Sequence, residues 1–134
     1  MIKLIATILL LQFSTLIHSQ VRLNSNKFEI KSEFSDEKYA LKEMNIDGID
    51  AISIVTEIAN VLFMFNSEEK CKIAIIVPHT QGYLNYYVEL YNNRYVVVSE
   101  NEWKMYSDNG IAKIDLLFNA EKPAFRWTIN LEQK

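Results

Sequence analysis

The chain has 134 residues, one Cys, three Gly and two Pro, and a formal net charge of −3. That length suits one domain, and a single cysteine excludes an intramolecular disulfide. A mildly acidic, evenly mixed surface lacks the basic footprint that phosphate binding needs, so no nucleic-acid partner is expected.

Met1-Ile2-Lys3 brings one positive charge to the N-terminus, and an apolar stretch runs from Leu4 to Ile17. It has the length of a signal-peptide core and is too short to cross a bilayer. His18-Ser19-Gln20 ends it, and Ser19 is small enough to precede a signal-peptidase cut. Residues 1–19 therefore read as a signal peptide and residues 20–134 as a single globular domain. The expected address is periplasmic or extracellular, with no membrane span after cleavage. No Cys follows the apolar stretch to carry a lipid.

Asn24-Ser25-Asn26 opens the mature region. Phe28, Ile30 and Phe34 alternate with charged residues as in a strand, yet Ser25 as an N-cap followed by helix formers fits a short helix equally well. Asp36 to Met44 is rich in Glu, Lys, Ala and Leu and predicts a short helix. Asn45-Ile46-Asp47-Gly48 predicts a turn. Ile49 to Phe65 can be read as one helix or as two strands. Ile52, Ile54, Val55, Thr56, Ile58 and Val61 are β-branched, which favours strands, with the reversal at Glu57–Asn60. Asn66 to Lys70 is a polar turn leading to a buried strand, Cys71–Val77. Between Tyr83 and Tyr95, Leu84, Tyr87, Val88, Tyr91 and Tyr95 fall on one helical face, with Thr80 as N-cap; a strand with Leu84, Tyr86, Val88 and Leu90 inward is the competing reading, and the helix is favoured. Tyr95–Ser99 reads as a strand, Glu100 and Glu102 as part of a short acidic loop, Asp108-Asn109-Gly110 as a turn, and Ile111–Phe118 as a strand. Asn119–Pro123 reads as a loop. Phe125, Trp127, Ile129 and Leu131 alternate with Arg126, Thr128, Asn130 and Glu132, the clearest half-buried strand in the chain. No sequence repeat is present. The expected fold is α+β, an antiparallel sheet with one face covered by one to three short helices; the alternative is a mostly-β sandwich or small barrel.

Phe63-Met64-Phe65-Asn66, Cys71, Ile76-Val77-Pro78, Asn93-Arg94-Tyr95-Val96 and Glu102-Trp103-Lys104-Met105-Tyr106 occur in an order that resembles small uncharacterised exported proteins of Bacteroidota. The resemblance covers about half of the mature chain. It implies a strand–turn–strand–helix–strand order through this region, which supports strands in 49–65 and the helix after Thr80, and it carries no activity to transfer.

Catalytic vocabulary is sparse. His79 is the only histidine after the signal segment, so nucleophilic catalysis of the Ser-His or Cys-His type would have to use it. Cys71 lies eight positions earlier, roughly 26 Å along a straight strand at about 3.3 Å per residue, out of hydrogen-bond reach. Cys71 reads as a small core residue and His79 as an exposed loop residue. A metal site of several His or Cys ligands is excluded by count. The Asn45–Asp50 segment superficially resembles a calcium loop but places Ile54 where a bidentate acid belongs, which leaves a plain turn. Glu68/Glu69, Glu100/Glu102 and Asp47/Asp50 are carboxylate pairs, the raw material for a cofactor-free hydrolase. No cofactor is indicated.

The aromatics stand out. Tyr83, Tyr86, Tyr87, Tyr91, Tyr95, Trp103 and Tyr106 crowd one region together with Arg94. Most can fill a groove between helix and sheet, with Tyr87 and Tyr91 buried. Trp103 and Tyr106, following the acidic loop, are the expected exposed members, and Trp103, Tyr106 and Arg94 form the candidate partner-binding set. The function expected is a non-enzymatic binding or accessory module whose partner is a protein or small ligand; the alternative is the carboxylate hydrolase.

Overall fold

The computed structural model describes residues 22–107, 110–118 and 121–130. The expected signal peptide, the Asp108-Asn109 pair and Leu131-Glu132 lie outside them. Alternating and β-branched runs separated by polar turns produce eight strands, all antiparallel, in one open sheet. They are β1 (Lys42–Ile46), β2 (Ile49–Val55), β3 (Ala59–Phe65), β4 (Cys71–Pro78), β5 (Val96–Ser99), β6 (Glu102–Ser107), β7 (Gly110–Leu117) and β8 (Ala124–Asn130). The order across the sheet is β1-β2-β3-β4-β8-β7-β6-β5. Helix α1 (Lys27–Glu33) precedes the first four strands and helix α2 (Gln81–Arg94) precedes the last four. A helix followed by a four-stranded meander thus occurs twice, and the last strands of the two meanders, β4 and β8, pair to join them.

The antiparallel sheet and its helices agree with expectation, while the balance of elements is strand-rich, nearer the mostly-β alternative. The sheet is single and open, however, not a sandwich. In 27–34 the helix wins over the strand. Asn26, not Ser25, is the N-cap; its side chain accepts the Glu29 N–H at 2.8 Å and the Glu29 carboxylate accepts the Asn26 N–H at 3.3 Å. Such a capping box satisfies two backbone donors that a seven-residue helix would otherwise leave bare.

The helix expected over Asp36–Met44 is replaced by a 3₁₀ turn, Glu37–Tyr39, and by β1. Ala40 adopts a left-handed conformation at φ 45°, which stops helix growth. Residues 42–46 then pair with β2 across a two-residue turn in which Asp47 and Gly48 both have positive φ, and the Asn45 side chain accepts the Gly48 N–H at 2.9 Å. Residues 49–65 are two strands, as expected, with the reversal at Thr56–Ile58. Thr56 Oγ1 accepts the backbone N–H groups of Ile58 and Ala59. The α2 helix is also as expected, capped by Thr80 Oγ1 on the Tyr83 N–H at 3.2 Å.

Both helices lie on one face of the sheet. Paired residues share a face, so one row can be followed across all eight strands: Glu43, Ile52, Phe63, Ala74, Trp127, Ile114, Trp103, Val97. Ile30 of α1, Phe34 just beyond it, and Leu84, Tyr87 and Tyr91 of α2 close over this face in one cluster. Tyr91 is its hub, with its ring against those of Tyr87, Tyr95, Trp103, Phe125 and Trp127 at 5.0–5.9 Å.

Candidate interaction surface

The expected partner-binding set does not assemble. Trp103 is 1% exposed. It belongs to β6 rather than to a loop, it faces the helices, and its Nε1–H donates to Asn92 Oδ1 on α2 at 2.8 Å. It is a core residue, which corrects the expectation that it is an exposed anchor. Tyr106 is 60% exposed. It lies three residues further along β6, so it points to the opposite side of the sheet, because side chains alternate along a strand. Arg94 is exposed at the C-terminal end of α2. No single patch can contain all three. Tyr87 and Tyr91 are buried, as expected, and so is Cys71. Burial pushes the Cys71 thiol up from its ordinary 9.0 to about 12, so the neutral thiol is its working form. His79 is exposed, with its ring nitrogens 3.1 Å from the Glu57 carbonyl oxygen and 3.0 Å from Asn60 Oδ1, and it braces the β2–β3 turn.

The carboxylate pairs are committed to turns and ion pairs. Glu68 and Glu69 sit in the β3–β4 turn, where Asn66 Oδ1 accepts the N–H groups of Glu68 and Lys70. Glu102 pairs with Lys113 at 3.6 Å. Asp50 accepts from the Asn45 side-chain amide at 3.2 Å and lies 3.8 Å from Lys27. A hollow of about 500 Å³ is an open trough between the β1–β2 and β3–β4 turns, bounded by Gly48, Asp50, Met64, Asn66 and Lys72. Three of its polar side chains are engaged locally: Lys72 donates to Asn24 Oδ1 at 3.0 Å, and Asp50 and Asn66 are bonded as above.

What the sequence reading missed is the second face of the sheet. No described helix or loop lies over it. On its β2–β4 side stand Leu62, Met64, Ile73, Ile75 and Val77, contiguous through the pairs Met64–Ile73 and Leu62–Ile75, and each only partly buried. The β6–β8 side of the same face is charged. Lys113 reaches Glu102 and Asp115 at 3.6 Å each, and Arg126 reaches Asp115 at 3.3 Å. Arg126 stands directly opposite Ile75 and Thr128 opposite Ile73, so the boundary between apolar and charged halves runs along the β4–β8 seam. Residues 73–78 are apolar on both faces, which reads as a doubly buried strand; periodicity alone could not reveal that one face is left open. No helix among the described residues is long and apolar enough to cross a membrane.

No family model matches the chain, and neither a curated protein nor a solved structure matches it.

Proposed function

We propose that this chain is exported and acts outside the cytoplasm as a small non-enzymatic binding or accessory module, with the open face of its sheet as the contact surface for a partner protein. The observation that supports this most is the apolar block Leu62, Met64, Ile73, Ile75 and Val77, uncovered by any described element and bordered by the Lys113–Asp115–Arg126 ion ladder. Protein interfaces combine an apolar centre with a polar rim in this way. A small ligand would instead call for a concave pocket that encloses most of its surface. The surface here is broad, and the hollow at its end is open, with Asp50, Asn66 and Lys72 already bonded to neighbouring residues.

The experiment compares the exported protein with its Leu62→Glu variant in the native host. Protein recovered from outside the cytoplasm is expected to begin near Gln20 by intact mass. A partner cross-linked to the wild-type protein should be lost from Leu62→Glu while the melting temperature falls little. A full-length cytoplasmic product, or a partner retained equally by both proteins, would overturn the reading.

A further inference from the structure

The open face and the chain as a whole carry opposite charge. The formal net charge of the chain is −3. On the open face the strands set Lys42, Lys104, Lys113 and Arg126 against two carboxylates, Glu102 and Asp115. One row runs Lys42, Ser53, Leu62, Ile75, Arg126, so the apolar block has a cation on each side of it. Two residues along, the row runs Ile73, Thr128, Lys113, Lys104. Lys104 thus stands directly opposite Lys113, and like charges in that position weaken a sheet. Glu102 and Asp115 compensate Lys113, and Asp115 compensates Arg126, whereas no ion pair among the described residues reaches Lys42 or Lys104. The fold gains nothing from these two ammonium groups, and a local conflict of that kind is expected at a functional surface.

We infer that the partner protein presents an acidic amphipathic helix to this face. Its apolar stripe lies along β3 and β4, and carboxylates on its two flanks meet Lys42 on one side and Arg126, Lys113 and Lys104 on the other. The inference rests on the open face being the contact surface and adds the chemistry of what is bound there. The proportions suit one helix. From β2 to β4 is two strand spacings, about 10 Å, and Ile73 to Val77 spans about 13 Å; an α-helix is about 10 Å across and covers that length in about nine residues. A second sheet would need an apolar surface as wide as itself, and here the apolar surface stops at the β4–β8 seam. A lipid surface is disfavoured because Leu62, Met64, Ile73, Ile75 and Val77 are half-buried among their neighbours and do not project as inserted side chains must. Apolar contact supplies the area, and charge selects the partner.

Two synthetic helices of about eighteen residues, long enough to hold a helix in isolation, test this on the exported protein. They share one leucine stripe and carry either glutamate or lysine on both flanks, and binding is followed by fluorescence anisotropy. At low salt the glutamate peptide should bind on the order of tenfold more tightly than the lysine peptide, since each exposed ion pair contributes a few-fold. The preference should vanish near 1 M salt, where charges are screened within about 3 Å. Lys42→Glu and Lys104→Glu should each weaken the glutamate peptide about threefold, with unchanged circular dichroism, and the double variant should prefer the lysine peptide. Leu62→Glu should lose both peptides while remaining folded; Ile75→Thr serves the same purpose should Leu62→Glu unfold. Equal or tighter binding of the lysine peptide to the wild type, with both peptides lost from Leu62→Glu, would overturn the acidic partner and leave the contact surface standing. Binding of both peptides undiminished by Leu62→Glu would overturn the contact surface itself. Binding of neither peptide would overturn the inference, and retention on phosphatidylglycerol vesicles would then assign the cations to lipid.

Discussion

The two faces of this sheet are built from the same strands, residue by residue, yet they hold different chemistry. On the face beneath the helices the row Ile52, Phe63, Ala74, Trp127, Ile114 and Trp103 is apolar from β2 through to β6. One register step away the row runs Ser53, Leu62, Ile75, Arg126, Asp115, Glu102 and changes from apolar to charged at the β4–β8 seam. The helix layer sets the first pattern. Where α1 and α2 exclude water, every residue is apolar, and the indole N–H groups find partners in Asn92 and in the Tyr91 hydroxyl. Where no described element covers the strands, ion pairs are tolerated in the β6–β8 half, and the apolar half has no fold-based reason to be apolar. That unexplained half is the ground for reading it as a contact surface.

This comparison is broken most forcefully at Trp103. Its side chain is enclosed by Tyr91 and Phe125 and tied to Asn92. Trp103→Ala should destabilise by about 3–5 kcal/mol in chemical denaturation. A loss below about 1 kcal/mol would mean that Trp103 is a surface residue and that the helix-covered face has been assigned to the wrong side.

Alkaline pH sharpens the comparison through Cys71, at the end of the covered face. The folded protein holds the thiol proton up to about 12, whereas the unfolded chain releases it near 9.0. Above pH 9 the unfolded state binds fewer protons than the folded state, so stability falls as pH rises, by about 1.4 kcal/mol per unit and up to about 4 kcal/mol in all; below pH 9 the term is constant. Tyr91 and Tyr95, also raised by burial, add to the decline above their ordinary 10.0. Denaturation measured from pH 8 to 10.5 should show a steeper decline for the wild type than for Cys71→Ala. Equal slopes would place the thiol in solvent.

How far the sequence reveals this arrangement depends on the element. In β8, Phe125 and Trp127 alternate with Arg126 and Thr128, and both the strand and its buried face are legible because one side is apolar and the other polar. In α2 the stripe Leu84, Tyr87, Tyr91 falls at helical spacing behind a Thr cap. β1 is illegible, since Glu37 to Leu41 has a helix-forming composition and only the pairing of 42–46 with β2 overrides it. β6 is hidden for a related reason. Glu102 and Lys104 flank Trp103 and look like a loop; they are the open side of a strand whose partner Ile114 is eleven residues away. The binding set failed at the same point, because a residue taken to be in a loop carries no face. The open apolar block was beyond reach, since a strand apolar on both sides looks the same whether one layer or two will cover it.

The most direct test sets the two faces against each other in neighbouring strands at the centre of the sheet. Trp127 on β8 faces the helices, and Ile75 on β4 faces away from them. Thermal and denaturant unfolding of Trp127→Ala and Ile75→Thr should give a loss of about 3–5 kcal/mol for the first and about 1 kcal/mol or less for the second. Comparable losses of several kcal/mol at both positions would show that the second face is also sealed, and would contradict an open surface available to a partner.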